Sequence, residues 1–86
     1  MNVHIPSPLR SYTSQKACVE AEGQTVADLL NRLDQQYPGV RFRMINEQDS
    51  IREHIKIFVN QTQISDLSVR LNETDAIYII AALSGG

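Results

Sequence analysis

The sequence is short of nearly everything that marks a self-contained catalyst. It holds a single cysteine, Cys18, so neither an internal disulfide nor a paired-cysteine zinc knuckle is available. There are two histidines, His4 and His54, neither with a ligand-like partner one helical turn away, so no metal site is expected. No glycine-rich phosphate loop occurs. No apolar run approaches the roughly 18 residues of a membrane span, and no secretory leader pattern is read, which sets the expectation of a cytoplasmic protein away from membranes. Eight Lys+Arg stand against ten Asp+Glu, a formal charge of −2 with no basic block, which argues against nucleic acid as a partner. The three prolines, Pro6, Pro8 and Pro38, fall outside periodic segments. Of only four glycines, two are Gly85 and Gly86.

What is present suits one small domain. Eighty-six residues with 42% hydrophobic side chains support one core and no second one. Asn2-Val3-His4-Ile5 alternates as a half-buried strand does, and Pro6-Ser7-Pro8 ends it. Leu9 to Ser14 reads as a connection. A second strand is expected over Lys16 to Glu22, with Ala17, Val19 and Ala21 on one face, closed by Gly23. Thr25-Val26-Ala27-Asp28 opens a helix, the Thr25 hydroxyl accepting from a first-turn N–H and Asp28 reaching back. Val26, Leu29, Leu30, Leu33 and Tyr37 form its apolar face, and Pro38-Gly39 stops it.

Val40 to Ser50 fits either a short helix or a pinned loop. Alternation returns over His54 to Asn60, followed by a turn and a short strand near Ile64. Leu67, Val69 and Leu71 dip inward, Asn72 to Asp75 turns, and Ala76 to Leu83 is nearly unbroken apolar sequence, as in a central strand covered on both faces. The order strand, strand, helix, strand, short strand, strand implies a two-layer α+β domain, its last strand central and beside the first. Residues 1–82 form the domain and 83–86 a short tail.

The residues favour no catalytic constellation. Cys18 could hold a persulfide as a thiolate, but a small strand residue is the plainer reading. His54 belongs to a solvated face. If Ile55, Ile57, Val59, Ile77 and Ile79 face the helix, then Phe58, Tyr78 and Ile80 face away, and Leu83 extends that patch towards the tail. Such a patch is either a docking surface or a second cluster covered by Leu67, Val69 or the Met44 loop. Arg52 or Arg70 would add a charged rim. A double glycine has no Cβ, threads narrow channels and leaves its acyl carbon open to attack.

With these elements in order, the chain resembles the β-grasp (ubiquitin-like) sulfur carriers: the molybdopterin synthase small subunit and the carriers of thiamine and cysteine synthesis. The likeness covers the whole chain. It rests on Thr25 to Leu30 as the helix opening, Leu33 to Gly39 as its end, Ile55 to Asn60 as the φ-x-φ-φ-V-N strand, and Asp75 to Ile80 leading to Gly-Gly. Ile5-Pro6 with Leu9-Arg10 is most similar to the cysteine-synthesis branch. Many members carry proline just before the tail, where this chain has Ala81-Ala82.

The resemblance implies a mixed sheet of four to five strands with one main helix across it, and a carrier that is not itself an enzyme. It implies that Gly86 is adenylated by a ubiquitin-activator-like adenylyltransferase using ATP with Mg, the carrier binding no cofactor of its own. A sulfurtransferase or sulfide source then makes the thiocarboxylate, and a sulfur-accepting synthase consumes it. Gly85 keeps the approach narrow, Phe58, Tyr78, Ile80 and Leu83 dock partners, and the carrier alone is a monomer. Two other readings remain: a ubiquitin-like modifier joined through Gly86 to lysines, with only Lys16 and Lys56 for chains on itself, and a plain β-grasp binding module.

Overall fold

A computed structural model describes residues 1–82, so Leu83, Gly85 and Gly86 lie outside the described residues. Five strands form one mixed sheet: β1 (Asn2–His4), β2 (Cys18–Glu20), β3 (Ile55–Val59), β4 (Thr62–Ile64) and β5 (Ile77–Ala81), in the spatial order β2-β1-β5-β3-β4. β5 is central, parallel to β1 and antiparallel to β3, as the apolar run from Ala76 implies. Its pairing with β3 extends over five residues, from Ile55 opposite Ala81 to Val59 opposite Ile77.

Helix α1 (Val26–Gln36) crosses one face and buries Val26, Leu29, Leu30 and Leu33 completely. Removing each of these side chains from water contributes roughly 1.5–3 kcal/mol. Thr25 caps α1 as expected, its Oγ1 accepting from the Asp28 N–H at 3.1 Å. The return bond differs: Asp28 accepts from the N–H of Gln24 at 3.0 Å, one residue earlier than a reciprocal box requires. The inward-dipping segment after β4 supplies further first-turn acceptors, Val69 O for Val26 N–H and Leu67 O for Ala27 N–H. Donors that no helix can satisfy internally are thereby paired.

Several expectations change. The second strand is three residues long rather than seven, and Ala17 is exposed, although Val19 and Ala21 are buried. The connection after β1 is a 3₁₀ helix over Ser7–Tyr12 that buries Leu9. It closes on the fully buried Thr13, whose hydroxyl donates to the Lys16 carbonyl at 2.9 Å. Between the two open possibilities for residues 40–50, the helix is found as α2 (Val40–Met44), which buries Val40 and Met44 one turn apart. Gly39 begins it at φ 97, a left-handed conformation that suits glycine. Asp34 of α1 accepts from the N–H groups of both Gly39 and Arg41 at 3.1 Å, tying the two helices together.

The expectation that β5 is covered on both faces fails. Ile77 and Ile79 are buried under the helices, while Tyr78 and Ile80 are 38% and 47% exposed. With only one helical layer, nothing among the described residues covers the other face.

Candidate functional site

Alternation along each strand sends successive side chains to opposite faces, and strand register then decides which of them meet. On the open face, register aligns Cys18 with His4, His4 with Tyr78, Tyr78 with Phe58, and Phe58 with Gln63. One row of side chains thus crosses all five strands, with Lys56 and Ile80 opposite each other in the next. The His4 and Tyr78 rings stack face to face, 4.4 Å apart and within 3° of parallel. Phe58, Asn60, Gln61, Tyr78 and Ile80 line a shallow hollow of about 430 Å³. A second hollow of about 400 Å³, bounded by His4, Pro6, Arg10, Tyr78 and Ala81, lies where β5 finishes.

Phe58, Tyr78 and Ile80 are therefore brought together and left accessible. The covered-cluster alternative fails, because Met44 is buried in the core and Leu67 and Val69 pack against that core. Leu83, the fourth member of the patch, and both tail glycines fall outside the described residues. Of the rim arginines, Arg52 stacks over Phe42 in the helical layer, and Arg70 forms an isolated bridge with Thr25 at the start of α1. Cys18 is exposed on edge strand β2, and His54 is exposed just before β3.

The way out of the sheet is firmly anchored. The Ala82 N–H donates to the His54 carbonyl at 2.8 Å, continuing the β3–β5 ladder one residue beyond the strand. At the opposite end, Asn60 adopts φ 57 in the tight link between β3 and β4. Its side chain donates to Asp75 at 2.9 Å and accepts from the Ala76 N–H at 3.0 Å, locking the entry to β5. The Asp75 carboxyl is held below the usual carboxylate range, first by the Asn72 backbone N–H and then by the Asn60 amide.

Sequence reasoning set Lys56 on the face with Phe58 and read a turn from Asn60, but it did not place His4 or Gln63 here. Alternation from Val3 would have placed His4 on the open face, and an asparagine after a strand is a signal for a left-handed turn. Among the described residues, no group of three or more His, Cys, Asp or Glu is placed to hold a metal ion. No helix among them is long and apolar enough to cross a membrane.

Known proteins share this architecture. The sulfur carrier protein CysO of Mycobacterium tuberculosis is 26% identical over 91 residues, covering 100% of this chain and 98% of that protein. A chain of the crystal structure of the Amycolatopsis orientalis BexX/CysO complex superposes with a TM-score of 0.91 at 27% identity, covering 99% of this chain and 98% of that one. SAMP1 from Haloferax volcanii, at a TM-score of 0.78 and 22% identity over 100% of this chain and 98% of that one, shares the fold. The family model described as the ThiS family matches residues 3–86, and this β-grasp chain belongs to that family.

Proposed function

We propose that the protein is a sulfur carrier whose working atom is the terminal carboxyl carbon of Gly86. The observation that carries this reading is the family match over residues 3–86, which runs through both tail glycines. The likeness to CysO over the full chain supports it and favours the cysteine-synthesis branch.

A carboxylate is a poor electrophile at neutral pH, so it must first acquire a leaving group. In this reading an ATP-using partner joins the Gly86 carboxylate to the α-phosphorus, and pyrophosphate leaves. Sulfide then attacks the acyl carbon and AMP departs, leaving a thiocarboxylate. With a persulfide donor the same attack gives an acyl disulfide, and a second thiol must cleave its S–S bond, forming a disulfide with the donor sulfur, to free the thiocarboxylate. The carrier supplies the reactive end and the recognition surface and acts as a co-substrate, with the chemistry performed by partners. That a chain similar to this one was crystallised in a BexX/CysO complex supports dependence on partner proteins. Phe58, Tyr78 and Ile80 suit such docking, because monomers seldom leave contiguous apolar surface bare. A cytoplasmic setting, where ATP is available, belongs to the same reading.

The test is intact mass after incubation with ATP, magnesium, an activating enzyme of this family and sulfide. The expected product has one oxygen replaced by sulfur, and deletion of Gly86 abolishes it. Stable attachment to lysines in place of sulfur gain, or sulfur uptake by the Gly86-deleted form, would sink the proposal.

A further inference from the structure

Topology gives the molecule two electrically different ends. β1 runs parallel to β5, so the 3₁₀ helix that follows β1 sits at the end where β5 finishes. Residues 52–54 reach that end too, since Ile55 pairs with Ala81 and His54 accepts from Ala82. α2 joins both, through Arg43 to Tyr12 and through the Arg52 N–H to the Met44 carbonyl. Arg10, Arg43 and Arg52 gather there, accompanied by Glu53. The loop joining α2 to Arg52 carries exposed Glu47 and Asp49, the latter paired with Arg41 of α2. The opposite end holds Glu22, Asp28 and Glu73 around a hollow with Arg32, and Glu20 beside the amino terminus.

At the cationic end lies an unusual platform. Phe42 is 54% exposed, the most of any large hydrophobic residue described. The Arg52 guanidinium stacks 4.6 Å above its ring centre, and Arg43 lies 5.5 Å from the centre of Tyr12. Each arginine is also held by its Nε, Arg52 donating to the Phe42 carbonyl at 2.8 Å and Arg43 donating to the Tyr12 hydroxyl. Among the described residues the two terminal amines of each side chain make no hydrogen bond and neither arginine forms an ion pair. A guanidinium fixed in plane by a ring and an Nε bond is pre-organised for two-pronged binding of a carboxylate, so little side-chain entropy remains to be lost.

We propose that Tyr12, Phe42, Arg43 and Arg52 form a second docking surface, in the helical layer, for a glutamate- or aspartate-rich segment of a protein partner. Charge complementarity selects this occupant. The free donor forks ask for carboxylates, and the exposed Phe42 ring offers apolar contact to the rest of such a peptide. No basic block extends beyond these forks, as tracking a phosphate backbone would require. Because the acidic end points the other way, an acidic partner is steered towards the end from which the tail leaves. The surface is distinct from the open sheet face and does not depend on the chemistry at Gly86.

The test is nitrogen-15 NMR of the full chain titrated with a short polyglutamate peptide at low salt, with polylysine and oligothymidylate as parallel probes. Polyglutamate is expected to shift the amides of Tyr12, Phe42, Arg43 and Arg52 and the Nε–H signals of both arginines. Added salt weakens the effect, and an R43Q/R52Q double variant binds roughly tenfold more weakly. Absence of shifts at these residues, shifts mapping elsewhere, an equal response to polylysine, or tighter binding of oligothymidylate at the same residues overturns the proposal. The mapping is made on the unaltered protein, so it decides the matter even if the variant folds poorly.

Discussion

The imidazole of His4 lies flat against the phenol ring of Tyr78, 4.4 Å away, across the parallel junction of β1 and β5. This stack divides the open sheet face. On one side stands Cys18 on the β2 edge, and on the other Phe58 and Ile80 border the hollow beside β3. A stacked aromatic pair contributes about 0.5–1.5 kcal/mol beyond its buried area. Replacing Tyr78 with alanine is therefore expected to lower unfolding free energy by about 1–2 kcal/mol, measured by urea denaturation. A loss-free variant would show that the stack only decorates the surface.

Ile80 separates docking from folding. At 47% exposure it contributes little to the core, so Ile80→Asp is expected to change stability by less than about 1 kcal/mol. The same charge placed in the patch is expected to slow thiocarboxylate formation about tenfold or more, because a desolvated carboxylate would face an apolar partner surface. Intact-mass time courses read the rate. An unchanged rate would remove Ile80 from the docking surface.

Asn60 is expected to be the costliest polar position. Asn60→Ala loses the bonds to Asp75 and Ala76 and puts an alanine at φ 57. The expected loss is about 2–3 kcal/mol in urea denaturation, with Asn60→Gly recovering only the backbone part. Equal stability of the alanine and glycine forms would show that the left-handed backbone adds nothing to the loss.

Gly23 is pinned by proximity. A Cβ there would lie 2.4 Å from the Leu29 backbone nitrogen and 2.7 Å from its Cα, and backbone atoms cannot swing aside. Gly23→Ala should cost about 1–3 kcal/mol as the loop is forced off α1. A neutral substitution would mean that the loop shifts freely.

Acid should unfold the protein along a defined limb. Asp28, Asp66 and Asp75 are all held below the ordinary value of 3.8, chiefly by the backbone N–H groups of Gln24, Ser68 and Asn72 respectively. A carboxyl whose folded value is depressed adds stability that is fully present above its unfolded value and lost as pH falls through the folded one. The urea midpoint is thus expected to be insensitive to these groups down to about pH 4 and to fall below it. Asp75→Asn should flatten that limb, and an unaltered limb would remove Asp75 from the account.

The local elements were legible because each writes a period into its own residues. Val26, Leu29, Leu30 and Leu33 needed only helical spacing to declare α1, and Ile55 and Ile57 needed only alternation to declare β3. The 3₁₀ helix was harder, because Pro6 and Pro8 read as a break and only Leu9 in it is buried, with Tyr12 half-buried against the core. Asp28 followed its capping role but accepts from the Gln24 N–H, one residue before the N-cap, a choice of partner that the sequence pattern does not specify.

By itself the sequence determined a small two-layer α+β domain with an apolar central strand and a double-glycine tail, because helix faces, strand alternation and turn residues act over a few neighbouring positions. Its β-grasp character was read from the family resemblance. Tertiary structure alone decided what stands beside what. Register put His4 against Tyr78, and a second small helix carried Phe42 and Arg43 to Arg52 and Tyr12. Such contacts join residues up to 74 positions apart, and no local period records them. The single helical layer also left one face of β5 open, which turns an apolar strand from core into surface.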